Sequence, residues 1–78
     1  GIIIYMYAKD HLPPHFHAIY GDEEALIRIA DLGLESGWLP KRAMRLVQEW
    51  GALHQVELTL IWDLARAQQP LGKISPLS

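Results

Sequence analysis

The chain has 78 residues and a formal net charge of −2, so it has room for one small core and no overall attraction to nucleic acid. It contains no cysteine, which excludes a disulfide framework and a thiolate metal site, and we therefore expect a cytoplasmic protein. The longest apolar run, Gly1–Met6, is too short to span a bilayer, so no membrane association is expected. Because the chain opens on glycine rather than methionine, we expect residues before Gly1 to be missing.

Three strands are predicted in the first part of the chain. Residues 1–8 are rich in β-branched and aromatic side chains, and both faces of this strand are apolar, which favours a central strand or one covered on both sides. Pro13 and Pro14 exclude a helix from the loop that follows. Residues 15–20 and 23–30 form the next two strands, because the Gly21-Asp22 pair between them is typical of a two-residue hairpin turn.

This turn fixes the register of the hairpin, since the side chains of a strand alternate between its two faces. Phe16 then lies opposite Ile27 on the core face. On the other face His15 lies opposite Arg28, and His17 is its neighbour along the strand. We therefore predict that His15, His17 and Arg28 share one face of the sheet.

Residues 40–68 are predicted to be helical. Pro40 suits the first turn of a helix, and apolar residues then recur about every 3.6 positions. The pattern fits one long helix or two helices joined near residues 51–55. In that region Gly51 destabilises a helix by about 1 kcal/mol relative to alanine. We predict a long helix, bent or broken, packed on one face of a three-stranded antiparallel sheet in an α+β fold of one small domain. Residues 70–78 form a tail.

The hairpin face suggests a metal-free site for RNA. Two histidines, His15 and His17, can act as general base and general acid near neutral pH. Arg28 could stabilise the charge of a phosphoryl transition state as a bidentate donor. Tyr5 or Tyr7 could stack on a base if the first strand presents them on this face. This hypothesis needs no cofactor.

The same histidines also suggest a metal site. Imidazole groups bind divalent transition metals such as zinc, and three protein ligands leave a position open for catalysis. His11, His15 and His17 could supply these ligands, and Asp10 or His54 could complete the set. A third interpretation is structural: the histidines bond only to the surrounding loop. The sequence does not decide among these alternatives.

Three cations, Lys41, Arg42 and Arg45, lie in the first turns of the predicted helix. Positive charge there opposes the helix dipole, which favours acids at this end. The cluster therefore indicates an anion-binding site. The alternative is a solvated surface on which these cations pair with Glu35, Asp31 or Glu49.

The second half of the predicted helix is apolar on more than one side, which indicates an interface with another protein. Trp50 falls on the core stripe of the helix, whereas Trp62 falls off it. We predict that Leu58, Ile61 and Trp62 contact either a second copy of the chain or a small protein encoded nearby.

Linked motifs along the chain resemble the bacterial domain-of-unknown-function 4160 family. They are DHxPPHxHxxYGD from Asp10, EAxIxI from Glu24, LPKRAMRLVxEWxALH from Leu39 and WDLARA from Trp62. The resemblance covers residues 5–77. The family signature corresponds here to Asp10, His11, Pro13, Pro14, His15, His17, Tyr20 and Gly21, and to Pro40, Arg42, Arg45, Glu49, Trp50 and His54.

The resemblance implies a small prokaryotic protein encoded beside another small domain, in an arrangement like a toxin–antitoxin or regulator pair. It supplies no catalytic mechanism. In the second half of the helix the chain has Leu60 and Ile61 where the family often has a charged residue. We therefore expect a component of a two-gene module that acts by protein contact, with RNA as a further ligand. The alternatives are a metal-binding or hydrolytic protein and an interaction module without catalysis.

Overall fold

The computed structural model describes residues 1–7 and 11–67 of the chain. The described part forms a four-stranded antiparallel sheet in the order β1-β2-β3-β4, followed by two helices, so the predicted α+β class is confirmed and the three predicted strands become four. Residue 8 of the first predicted strand, residue 68 of the predicted helix and the tail lie outside the described residues. The elements are β1 (Ile3–Tyr5), β2 (His15–Tyr20), β3 (Glu23–Arg28), β4 (Leu34–Gly37), α1 (Lys41–Leu53) and α2 (Gln55–Arg66).

The predicted hairpin register is confirmed over its whole length. The pairs run from His15 opposite Arg28 to Tyr20 opposite Glu23. Gly21 adopts a φ of 61°, a left-handed conformation that glycine accepts without strain. The turn and the two-residue period of the strands therefore determine which side chains share each face of the hairpin.

The first strand is shorter than predicted and lies at an edge of the sheet. β1 pairs only with β2 among the described strands, with Tyr5 opposite His17. Ile2 is buried in the core, and Ile4 packs against it. On the other face Ile3 is 59% exposed. The prediction of a central or doubly covered strand is therefore wrong, because the outer apolar face of β1 is open at Ile3.

A fourth strand forms the opposite edge. β4 pairs with β3 across an irregularity between Leu26 and Ile27, and the Trp38 amide donates to the Glu24 carbonyl at 3.0 Å. Gly37 has a φ of 82°, and a side chain at this position would overlap the Glu24 backbone. All four residues of β4 are exposed, and because no face of the strand is buried, apolar and polar residues do not alternate along it. The sequence therefore has no pattern that would identify this strand.

The helical region breaks at His54, which has φ and ψ of −117° and 17° and separates α1 from α2. The Gln55 side chain donates to the Ile29 and Ala30 carbonyls at 2.8 and 3.1 Å, which holds the start of α2 against the end of β3. The break lies within residues 51–55, where the sequence allowed two helices to join, although not at Gly51, and only the preference for one continuous helix is wrong. Neither helix of the described part is long and apolar enough to cross a membrane.

Both helices contribute to one core with the inner face of the sheet. The Phe16 and Trp50 rings meet edge to face at 5.7 Å. The break changes which side of α2 faces inward, so Trp62, predicted to lie off the core stripe, is only 3% exposed. Leu53, at the end of α1, is 82% exposed. The core consists of Ile2, Phe16, Ala18, Ala25, Ile27, Ile29, Leu39, Ala43, Val47, Trp50, Leu58 and Trp62.

Candidate functional site

The sheet face opposite α1 carries a cluster of titratable side chains around His17. Cross-strand pairing puts Tyr5 beside His17, and their rings stack with centroids 4.8 Å apart and planes within 13° of parallel. Tyr7 meets the His17 ring edge-on, also at 4.8 Å. From β3, Glu24 accepts a hydrogen bond from His17 Nδ1 at 2.9 Å. We call Tyr5, Tyr7, His15, His17 and Glu24 the histidine cluster.

The Glu24 carboxylate is hydrogen-bonded to two members of the histidine cluster. Its Oε2 atom accepts a hydrogen bond from the Tyr5 hydroxyl at 2.5 Å as well as the one from His17. The Tyr5 hydrogen bond, and after it the His17 hydrogen bond, hold the pKa of the Glu24 carboxyl below its usual value. Burial, and then the hydrogen bond to Glu24, raise the pKa of Tyr5. At neutral pH Glu24 is therefore ionised and the Tyr5 hydroxyl is protonated.

His15 lies beside His17 at the end of β2 nearest α2. The two ring centroids are 5.2 Å apart, and the His15 Nδ1–H donates to the Pro13 carbonyl at 2.8 Å. The rings of His11 and Trp62 approach the His15 ring at 5.0 and 5.4 Å. These neighbours enclose His15, which is 0% exposed.

The arrangement resembles an oriented general base. A carboxylate on Nδ1 places the ring proton there and makes Nε2 the acceptor nitrogen of the ring, which can act as a base only if a substrate reaches it. However, His15 and His17 are only 0% and 6% exposed. The geometry of the side chains fits acid–base chemistry, but both histidines are covered by aromatic rings.

The structure places Arg28 opposite His15 in the register, as predicted, but its side chain is engaged elsewhere. Its Nε donates to Asp31 at 3.0 Å, and its Nη1 donates to Glu35 at 2.9 Å. The Asp31 hydrogen bond, and after it the Glu35 hydrogen bond, raise the pKa of Arg28, and Arg28 in turn lowers the pKa of Asp31. Two carboxylates therefore offset the charge that the RNA hypothesis assigns to a phosphate.

The metal hypothesis gains no ligand set from the described residues. Within residues 1–7 and 11–67, no three histidine, aspartate or glutamate side chains are grouped so that they could hold a metal ion. Asp10 lies outside the described residues. His54 is engaged at the helix break, where its Nδ1 lies 2.9 Å from Glu57 and its ring lies 4.9 Å from that of Trp50.

The three cations predicted to bind an anion are all exposed at the start of α1. Lys41 and Arg45 line a groove beside β4, and Arg42 does not. Of the acids considered as their partners, Asp31 and Glu35 both pair with Arg28, and Glu49 forms no ion pair with these cations among the described residues. The structure therefore separates the predicted cation cluster into two residues on the groove and one outside it.

Of the residues predicted to form an interface, Leu58 and Trp62 are buried within the chain, and Ile61 is half-buried. They have little surface to offer a partner. The large aliphatic side chains that α1 and α2 expose are Leu46, Leu53, Val56, Leu60 and Leu64.

Sequence reasoning missed one member of the histidine cluster, Glu24. The signal was available, because the hairpin register that pairs Ile19 with Glu24 puts this carboxylate on the face of His17. Tyr5 was considered only as a stacking residue, and its hydrogen bond to Glu24 depends on how β1 pairs with β2. No turn signal in the sequence fixes that pairing.

Comparison with known proteins gives one match. The sequence model of a family described as "Domain of unknown function (DUF4160)" matches residues 1–63. This confirms the resemblance drawn from the motifs, although the match ends well before residue 77. No curated protein and no solved structure matches the chain.

Proposed function

The chain belongs to the DUF4160 family, whose description states no function, and we propose that it acts by protein contact as one component of a two-gene, toxin–antitoxin-like or regulatory module in the cytoplasm. RNA is a further ligand in this proposal. One observation carries it: the helices expose large aliphatic side chains, while the histidines that would perform catalysis are buried. The exposed set, the helix stripe, consists of Leu46, Leu53, Val56, Leu60 and Leu64.

The spacing of the helix stripe supports a contact with another helix. Leu46 and Leu53 lie seven residues apart on α1, and Val56, Leu60 and Leu64 follow each other at intervals of four on α2. Residues at these intervals share one side of a helix. The most exposed of them, Leu53 and Val56, are 82% and 76% exposed on either side of the break. The stripe is therefore a contact surface that the chain does not cover with its own described residues.

We assign a second copy of the chain as the occupant of the helix stripe. Exposed apolar rows on a helix can face the same rows of a second copy, and a two-fold axis between them buries both copies at once. A chain of 78 residues also builds only a small core, so burying this stripe would add a substantial share of its apolar contacts.

Sedimentation equilibrium of the full chain over a concentration series tests this assignment. A reversible monomer–dimer equilibrium is the expected result. A monomer at every concentration would exclude the second copy. The stripe would then have to be tested against the small protein encoded nearby, using the same stripe variants.

A hydrolytic function is a second candidate, because the His17–Glu24 hydrogen bond orients an imidazole next to a second histidine. In this proposal His15 and His17 would carry out acid–base chemistry on RNA with Arg28, or would bind zinc together with His11. The test is expression of the full protein in a bacterial host beside a His15→Ala/His17→Ala variant. Growth and bulk RNA integrity are followed, and the folding of each variant is checked by circular dichroism.

Growth arrest with RNA decay, relieved in the double variant, would make the histidine cluster an active site. A His54→Ala variant is the matched control, since it removes a histidine from the helix break and leaves the cluster intact. Normal growth with intact RNA would remove the ribonuclease hypothesis. The metal content of untagged protein tests the zinc alternative separately, and no stoichiometric metal would eliminate it.

A further inference from the structure

The outer edge of β4 offers backbone groups to another strand. β4 is the last strand of the sheet, and none of the described residues pairs with its outer edge. All of Leu34–Gly37 is exposed. An unpaired edge of this kind is a template for an extended peptide, which adds to the sheet through main-chain hydrogen bonds.

A groove between β4, which contributes Leu34, and the first turns of α1 supplies space for the side chains of such a peptide. We call it the β4 groove, and its volume is about 530 Å³. On the strand side it contains Trp38, whose side chain is 56% exposed and presents a large apolar surface next to the end of β4. Its lining residues are Leu34, Trp38, Leu39, Lys41, Met44, Arg45 and Gln48.

The β4 groove is positively charged. Lys41 and Arg45 line it, and neither forms an ion pair with any residue that the structure describes. Of the nearby acids, Glu35 on β4 and Asp31 before it are both bound to Arg28. Glu49, four residues after Arg45 on α1, forms no ion pair with either cation among the described residues. The Arg28 pairing thus leaves two cations without a carboxylate beside an unpaired strand edge.

We propose that the β4 groove binds an extended, acidic segment of a partner protein as an added strand. The backbone of the segment would pair with β4, its alternate side chains would enter the groove, and carboxylates among them would contact Lys41 and Arg45. Trp38 would pack against an apolar side chain of the segment. This surface is separate from the helix stripe, so the inference stands whether or not the chain forms dimers.

A protein segment fits the groove better than RNA does. The unpaired main-chain groups of β4 match a peptide backbone along the length of the strand. Binding of single-stranded RNA relies instead on several aromatic platforms in succession. The groove has one aromatic residue, Trp38.

The test begins with a displayed library of random eight-residue peptides, selected against the full chain. Peptides from the last round are synthesised with a fluorophore, and their dissociation constants are measured by fluorescence anisotropy. A decauridylate oligonucleotide is measured in parallel as the RNA probe. The variant is Lys41→Glu/Arg45→Glu, and the matched control is Arg42→Glu, which reverses a neighbouring charge on α1 outside the groove.

The expected result is a set of peptides with acidic residues at alternate positions and an apolar residue between them. The groove variant should bind them at least about tenfold more weakly, since it places like charges opposite the peptide carboxylates, and Arg42→Glu should stay within about threefold of the unaltered chain. Amide signals of β4 should shift on binding in nuclear magnetic resonance spectra.

Four outcomes would overturn the proposal. The first is that the library yields no binding peptide, and the second is that it yields peptides without acidic character. The third is an equal loss of affinity in Lys41→Glu/Arg45→Glu and in Arg42→Glu. The fourth is that no peptide binds while decauridylate binds and depends on Lys41 and Arg45, which would identify the groove as a nucleic-acid site.

Discussion

Truncation of Leu53 to alanine should weaken the proposed dimer strongly while leaving the monomer folded. Leu53 is 82% exposed, so nearly all of its side chain is available to a partner. Complete burial of a leucine side chain contributes about 1.5–3 kcal/mol, and alanine retains only the Cβ, so we expect a loss of about 1–2 kcal/mol per copy. A two-fold interface loses this twice, or about 2–4 kcal/mol. The dimer dissociation constant should therefore rise roughly 30- to 800-fold.

Sedimentation equilibrium of Leu53→Ala and the unaltered chain measures this change directly. Leu12→Ala is the matched control, because Leu12 is also exposed, at 61%, but lies in the loop before β2 and outside the helix stripe. It should leave the dissociation constant unchanged. Equal dimerisation of Leu53→Ala and the unaltered chain would refute the stripe as the interface, and so would an equal loss in Leu12→Ala.

Three further predictions concern the fold that presents these surfaces. Leu58→Ala removes a fully buried side chain and should lower the free energy of unfolding by about 2–5 kcal/mol in urea titrations; a loss below 1 kcal/mol would contradict the shared core. Gly37→Ala should cost more than Gly21→Ala by thermal unfolding, since both have positive φ but only Gly37 has backbone where the new methyl group would lie; equal losses would contradict the β4 geometry. The last of these predictions concerns Glu24→Gln. Because the pKa of the Glu24 carboxyl is lowered in the folded chain, its ionised form stabilises the fold above the usual glutamate pKa, and this stabilisation is lost as the pH falls through the lowered value. The unfolding free energies of Glu24→Gln and the unaltered chain should therefore converge in acid, and a difference that does not change with pH would contradict the role of this carboxylate.

The hairpin was predictable because its determinants are local. A glycine-containing two-residue turn fixes the pairing, and the two-residue period of the strands then assigns each side chain to a face. This is how His15 and Arg28 could be placed opposite each other from sequence, as the structure confirms. The same register also contains the position of Glu24, so that carboxylate could have been included in the cluster.

The remaining elements depend on contacts between residues far apart in the chain. The loop between β1 and β2 leaves their register open, so the stacking of Tyr5 on His17 had no local signal. β4 has no apolar alternation, and the ion pairs of Arg28 hold the turn that leads into it. The helix break at His54 accompanies a hydrogen bond from Gln55 to the distant end of β3. Periodicity within a segment cannot report such contacts.

Gly51 shows how one residue can mislead a local argument. In an isolated helix it is a weak point, which suggested the site of a bend. In the structure it lies within α1, and a Cβ atom at this position would overlap the Leu32 side chain, 19 positions earlier in the chain. The glycine therefore permits close packing between α1 and the β3–β4 connection, and the break lies three residues later.

Changes at the β4 groove and at the helix stripe should act independently of each other. Lys41 and Leu53 lie twelve residues apart on α1, or about 18 Å along the helix, which is far enough for changes at the two positions to act independently. Lys41→Glu should therefore weaken peptide binding without altering dimerisation, and Leu53→Ala should do the reverse. In the combined variant each loss should therefore equal that of the corresponding single variant to within about 0.5 kcal/mol. If Leu53→Ala also abolishes peptide binding, the acidic segment must contact both copies of the dimer, and the assignment of the β4 groove to a single chain would be wrong.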